Sequence, residues 1–269
     1  MTNKQMGDLV LLSIEDGVAT LTLNNAPQRN SLDGAMTAAL NQRLAEIHEA
    51  RDSLKGLLIA ADGDHFCVGG DIRYFETLLG QPEAMRAGLD ALISDLNRAI
   101  ARIDALPFPI IALVQGAVAG AGLSLALACD IVVAADDARF VTAYSSLGAT
   151  PDGGCTWKLP RRVGQQLALQ MFLFNDPLGA EQAQAAGLVA QVVSRSALAE
   201  TGQALAQRLS RGSRPAQNAG KALMRRGMQA DLEAALENEK SQFVELAALG
   251  DFDEGVKAFR QKRPPRFTL

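Results

Sequence analysis

Histidine is nearly missing from this sequence of 269 residues: His48 and His65 are the only two, which argues against a histidine-rich metal site. Cysteine is also scarce. Cys67, Cys129 and Cys155 lie far apart with no C-x-x-C spacing, so neither a zinc site nor a disulfide framework is indicated, and a reducing compartment is the natural setting. Each reads as a small buried hydrophobe. The net charge is only -4, and nothing in the composition suggests a nucleic-acid binder. The first eight residues are polar and a strand pattern follows at once, so no basic start leads into an apolar stretch. A secretory signal and a membrane span are therefore not expected, and a cytoplasmic location is. Two phosphate-binding patterns are missing as well, because no G-x-x-x-x-G-K-[ST] occurs and Gly116, Gly120 and Gly122 do not fit G-x-G-x-x-G. No internal sequence repeat or low-complexity tract is present.

What the sequence does have is one organising stretch, Phe108 to Asp130 (FPIIALVQGAVAGAGLSLALACD). Ile110 to Val114 is a continuous apolar run with β-branched members, which predicts a strand buried on both faces. Gln115-Gly116 breaks it, and Gly120-Ala121-Gly122 then opens a helix-like segment whose first turn carries almost no side-chain bulk. The first amides of a helix have no partner within it and the peptide dipoles favour negative charge there. An oxygen gaining negative charge could lie against this bare backbone. The plainer reading is that Gly and Ala let the helix pack closely on its strand.

The rest of the chain frames this stretch as a large α/β domain or one α/β domain with a helical appendage. Val10 to Ile14 and Val18 to Leu23 flank Glu15-Asp16-Gly17, a hairpin signal. A polar loop from Asn24 to Ser31 follows, then an amphipathic helix from Asp33 with Met36, Leu40, Leu44 and Ile47 at helical spacing. Leu57 to Ala60 predicts a short strand. The loop Asp62 to Asp71 (DGDHFCVGGD) places Gly69-Gly70 where a ligand could approach bare backbone. Ala84 to Leu106 predicts a helix and Ile131 to Ala135 another buried strand, so strands alternate with helices in a largely parallel, layered arrangement. Asp152 sits between Pro151 and Gly153-Gly154 in a predicted loop, Leu147 to Trp157. Helical character is expected from Gln165 onward, apart from a strand at Leu188 to Val193. Basic residues Lys257, Arg260, Lys262, Arg263 and Arg266 gather near the end.

Gly122-Leu123-Ser124-Leu125-Ala126 is similar to the serine-hydrolase elbow G-x-S-x-G, but in that fold the histidine follows the serine, and both histidines here precede Ser124. What remains is a pair of backbone donors from distant loops and a carboxylate on a third. Such a set suits proton abstraction beside a carbonyl, with the base taking the proton while two amides hold the enolate oxygen.

The motifs HFCVGGDI, PIIALVQGAVAGAGLSLALACDIVVAADDARF, SLGATPDGGCTWKLPRRVG and AEQAQAAGLV together resemble the enoyl-CoA hydratase/isomerase (crotonase) family from about Leu9 to Phe267. The resemblance implies an α/β fold of the ClpP/crotonase-like type: a spiral of ββα repeats over residues 1–195, then a C-terminal helical region over 196–269 that builds trimers, often paired into hexamers. It also implies an acyl-CoA thioester substrate with its carbonyl held by the N–H groups of Gly70 and Ala121, and neither metal nor cofactor beyond the coenzyme A ester itself. Arg29 would reach the CoA phosphate or adenine. Val68, Gly69, Asp71 and Ile72 would line the adenine and pantetheine path, Tyr144 and Leu147 would border the acyl pocket, and Phe259 and Lys262 would reach a CoA site, often that of a neighbouring subunit.

Hydratases of that family carry two catalytic glutamates, and those positions are Ser124 and Tyr144 here. Neither is a carboxylate. Asp152 instead matches the single acid/base of members that move double bonds, and the motifs LGATPDGGCTW and EGVKAFRQKRPPRFT most resemble the 1,2-epoxyphenylacetyl-CoA isomerase branch. An acyl-CoA isomerase is the expectation. A hydratase or hydrolase in which Asp152 activates water, and a CoA-ester binder without catalysis, are the alternatives.

Overall fold

The computed structural model describes residues 9–268, so the polar stretch 1–8 lies outside the described residues. Strands β1 (Val10–Glu15) and β2 (Val18–Leu23) pair antiparallel around Asp16-Gly17, whose φ values of 48° and 77° are those an Asp-Gly turn supplies. Helix α1 (Gly34–Glu49) starts where Asp33 accepts the Met36 N–H at 2.8 Å, and its Met36, Leu40, Leu44 and Ile47 are buried as their spacing requires. Then come β3 (Gly56–Ala61), α2 (Ile72–Thr77), α3 (Pro82–Ala105), β4 (Ile110–Val114), β5 (Ala117–Ala119), α4 (Ala121–Ala128), β6 (Ile131–Ala135) and β7 (Arg139–Val141). The second half runs α5 (Cys155–Val163), α6 (Gln165–Phe174), β8 (Leu178–Gly179), α7 (Ala180–Ala185), β9 (Gln191–Val193), α8 (Leu198–Ser210), α9 (Arg214–Gly227), α10 (Leu232–Ala247) and α11 (Gly250–Arg260).

The strands form a sheet of six in the order β1-β2-β3-β4-β6-β9, parallel apart from β1, and a sheet of three in the order β5-β7-β8. The chain repeats one unit: a strand in the large sheet, a strand in the small sheet, then helix. β4-β5-α4 and β6-β7-α5 are two such units, and a lone bridge from Cys67 to Val118 of β5 carries the preceding unit across after β3. This is the repeating spiral that the resemblance implies.

β4 is buried at all five positions. Ile110, Ala112 and Val114 belong to the main core, whereas Ile111 and Leu113 belong to a second core on the opposite face, with Leu198 and the partly buried Leu205 and Leu209 of α8. Each fully buried aliphatic side chain contributes about 1.5–3 kcal/mol, so a strand covered on both faces anchors the domain. Polar ties reinforce it. Asp130, at the end of the α4 unit, accepts the Ile110 N–H at 2.9 Å and pairs with Lys221 and Arg225 of α9 at 2.8 Å each.

Four expectations need correction. β5, β7 and β8 were not predicted, since strands of two or three residues are too short to show a period. The predicted loop Leu147 to Trp157 ends in helix, because α5 begins at Cys155 despite Gly153-Gly154 before it and Pro160 within it. Helical structure thus starts ten residues before Gln165. The strand predicted over Leu188 to Val193 is confined to Gln191–Val193. All three cysteines are free and buried, as expected, and among the described residues no helix is long and apolar enough to cross a membrane.

Candidate active site

A cavity of ≈ 910 Å³ lies between α2, α3, the turn into α4 and the segment around 143–152. The two glycine-bearing turns meet at its wall. Gly69 has φ 92°, and a Cβ there would fall 3.0 Å from Ala119 O and 3.4 Å from Ala121 N, so the loop before α2 is in contact with the first residue of α4. Main-chain bonds on either side fix the loop: Leu32 N–H donates to Gly69 O at 2.7 Å and Asp71 N–H to Leu32 O at 3.0 Å. Gly120 N–H is used by Val141 O at 3.1 Å. Gly70 N–H and Ala121 N–H, by contrast, donate no hydrogen bond among the described residues, and no side chain caps α4. Both residues line the cavity. The plainer reading of the small first turn also holds, because a Cβ on Gly122 would meet Cys67 O at 2.3 Å. Close packing and a free amide coexist one residue apart.

Asp152 lines the same cavity. Ser124 Oγ donates to its main-chain oxygen at 2.9 Å and Tyr144 Oη to its carboxylate Oδ1 at 2.7 Å. Ser124 is fully buried and Tyr144 nearly so. The two positions where glutamates were expected of a hydratase therefore hold the backbone and the side chain of Asp152. Burial pushes the Asp152 carboxyl above the usual aspartate value, and the Tyr144 hydrogen bond partly opposes this by favouring the charged form. Burial, then the Asp152 charge, push the Tyr144 phenol well above its ordinary range, so it stays a donor.

The rest of the wall is mostly apolar: Phe75 of α2, Leu79 just after it, and Leu89, Leu92, Ile93 and Leu96 along one side of α3. Glu76 is the one charged lining residue besides Asp152, and no Lys, Arg or His is among them. The α3 wall was missed in the sequence, although the apolar spacing of that helix contains it; nothing local marked which face would meet a cavity. The hydrogen bond from Tyr144 to Asp152 had no local signal either.

Of the residues the resemblance assigned to binding, Val68, Gly69, Ile72, Tyr144 and Leu147 line the cavity. Arg29, Asp71, Phe259 and Lys262 do not. Arg29 is exposed and touches the loop through its carbonyl, which accepts the Val68 N–H at 3.3 Å. Asp71 caps α2 and pairs with Arg73 at 2.5 Å, which holds its carboxyl below the usual carboxylate range. Phe259 is 86% exposed at the rim of a separate ≈ 460 Å³ groove with Phe243, Phe252, Val256 and Phe267, and Lys262 is exposed nearby. His48 and His65 serve main-chain atoms, Arg102 O at 2.9 Å and Ala117 N at 3.1 Å, away from Ser124, so no hydrolase triad forms. No cluster that could hold a metal occurs among the described residues.

The family model for enoyl-CoA hydratase/isomerase matches residues 13–269. A protein of Rhodobacter capsulatus named "Probable enoyl-CoA hydratase" is 37% identical over 256 residues, 95% of this chain and 96% of its own. The 1,2-epoxyphenylacetyl-CoA isomerase of Escherichia coli is 37% identical over 267 residues, 98% and 99% of the two chains. The crystal structure of an enoyl-CoA hydratase from Polaromonas sp. JS666 superposes with a TM-score of 0.86 at 32% identity, covering 96% of this chain and 99% of that one.

Proposed function

The chain belongs to the enoyl-CoA hydratase/isomerase family, and within it we propose an acyl-CoA isomerase in which Asp152 carries the proton and the N–H groups of Gly70 and Ala121 hold the thioester oxygen. The observation that supports this most is the composition of the cavity: one half-buried carboxylate held by Ser124 and Tyr144, two main-chain donors without a partner among the described residues, and no second acid/base at the expected glutamate positions.

Adding water across a double bond calls for one group to activate it and usually another to position it or deliver a proton. Moving the double bond calls for one carboxylate. Ionised Asp152 takes a proton from the carbon beside the thioester carbonyl of a 3-enoyl ester, and the electron pair moves onto the carbonyl oxygen between the two amides. Protonated Asp152 then returns the proton to the far carbon of the conjugated system as the carbonyl re-forms, leaving a 2-enoyl ester. Nothing else is consumed. Positioned bases typically contribute about 10²- to 10⁴-fold, and each oxyanion donor about 3–4 kcal/mol. The same enolate chemistry serves the opening of an epoxide-type ring.

The second reading, a hydratase in which Asp152 activates water, is favoured by the relatives named as hydratases. Incubation of 2- and 3-enoyl-CoA with the protein in ¹⁸O-water separates the two by mass spectrometry. The isomerase interconverts the enoyl esters without label; a hydroxyacyl product carrying ¹⁸O would overturn that reading.

Exposed Phe243, Phe252, Val256 and Phe259 leave an apolar groove on the C-terminal helices, which fits self-association as a trimer or a pair of trimers in the cytoplasm. In that assembly the 196–269 region would supply the contacts between subunits, with Phe259 and Lys262 reaching a neighbour's CoA site and Arg29 the CoA phosphate.

A further inference from the structure

The segment that carries Tyr144 is held with more care than a cavity lining needs. Ala143 has φ 62°, a left-handed conformation that costs a non-glycine residue on the order of 1 kcal/mol and persists only where neighbours enforce it. They do so here. Thr142 Oγ1 donates to Met171 O at 2.8 Å, Ser145 Oγ to Phe172 O at 2.6 Å, and Asn175 Nδ2 returns a bond to Ser145 Oγ at 2.9 Å, so the C-terminal turn of α6 grips both sides of Tyr144. The ring of Tyr144 also lies near Gly120, where a Cβ would stand 3.9 Å from Tyr144 Cζ, just before the free Ala121 amide. Its hydroxyl ends on Asp152 Oδ1 at 2.7 Å.

Resting on the assignment of Asp152 as the acid/base, we propose that Tyr144 is a positioning residue that binds Oδ1 and leaves Oδ2 as the oxygen that exchanges the proton with substrate. Without that donor the half-buried carboxylate loses the hydrogen bond that favours its charged form and could turn about its terminal bond. With Tyr144 in place one oxygen is occupied, and the same oxygen that takes the proton is aimed to return it. Among the described residues, the titratable groups that act on the carboxyl or share its cavity are Tyr144, Cys155 at the start of α5, whose thiol burial pushes up to about 11, and Glu76 of α2, which lines the same cavity. With no Lys, Arg or His among the lining residues, Tyr144 is the side-chain donor that offsets the burial of Asp152.

The sequence contains two tyrosines, Tyr74 and Tyr144, so a Tyr74→Phe protein grown with 3-fluorotyrosine carries a single ¹⁹F reporter at 144. Its resonance is expected to titrate with Asp152 and to lose that step in an Asp152→Asn background. In parallel, Tyr144→Phe is expected to move the acid limb of kcat/KM upward by about one pH unit and to lower kcat about ten- to a hundredfold at unchanged KM, since a hydrogen bond to a charged group is worth about that much. A ¹⁹F signal insensitive to Asp152, or a Tyr144→Phe limb at the wild-type position, overturns the inference. The fluorinated protein keeps the test open should Tyr144→Phe not fold. Failure of the underlying assignment looks different: Asp152→Asn would then turn over normally while the ¹⁹F titration still reported the contact.

Discussion

At the scale of single residues, the proposed acid/base is a group that costs stability. Asp152 is pushed upward by burial, so its folded-state value lies above its unfolded one. For a carboxyl shifted in that direction, the folded protein binds the proton more tightly than the unfolded chain, and stability falls as pH rises through the window between the two values. Asp152→Asn removes the charge and leaves an oxygen to accept from Tyr144. Its melting temperature is therefore expected to exceed wild type at pH 7, with the gap closing as the pH is lowered through the Asp152 titration. Scanning calorimetry across that range checks the sign; a variant less stable than wild type at pH 7 would contradict it. Ser124 shows how local the constraint is. A Cβ on Gly153 would lie 2.8 Å from Ser124 Cβ, so the main chain at 152–153 leaves a longer side chain at 124 little room.

At the scale of elements, a cluster of polar ties joins the organising strand to the C-terminal helices. Asp130 accepts from Ile110 N–H, Lys221 and Arg225, and Lys221 also donates to Phe108 O at 2.6 Å, so one side chain ties the start of β4 to one turn of α9. Asp130→Ala strands a mostly buried lysine, and a loss of about 3 kcal/mol in urea unfolding is expected, at the lower end for a broken buried pair. A loss under about 1 kcal/mol would show that α9 docks by apolar contact alone. Elements of this size were legible in advance where their period was long enough. The two-faced burial of β4 follows from five consecutive apolar residues, and α1 from Asp33 and four spaced aliphatics. β5, β7 and β8 owe their strand geometry to partners far along the chain, as when Ala117 pairs with Arg139, and α5 is kept helical by its neighbours despite Pro160.

At the scale of the whole molecule, the spiral brings together three segments that each stand more than thirty residues from the next: the glycine turn at 69–70, the α4 start at 121 and Asp152. Bare glycines, a carboxylate beside Pro and Gly, and the resemblance of the surrounding motifs marked these three segments in advance, and the fold brings them to one cavity. Which residues close the cavity was not, because the α3 wall and the grip of Tyr144 on Asp152 arise only when separate turns of the spiral stack. Arg29, Phe259 and Lys262 lie outside the cavity of one chain, so their proposed roles depend on the bound ester or on a neighbouring subunit.

The central claim is that one carboxylate performs both proton transfers, and the comparison of wild type with Asp152→Asn on a 3-enoyl-CoA ester tests it most directly. Turnover is expected to fall by about 10²- to 10⁴-fold while calorimetric affinity for a saturated acyl-CoA stays within a fewfold of wild type. A variant that isomerises at a near-normal rate would contradict the account.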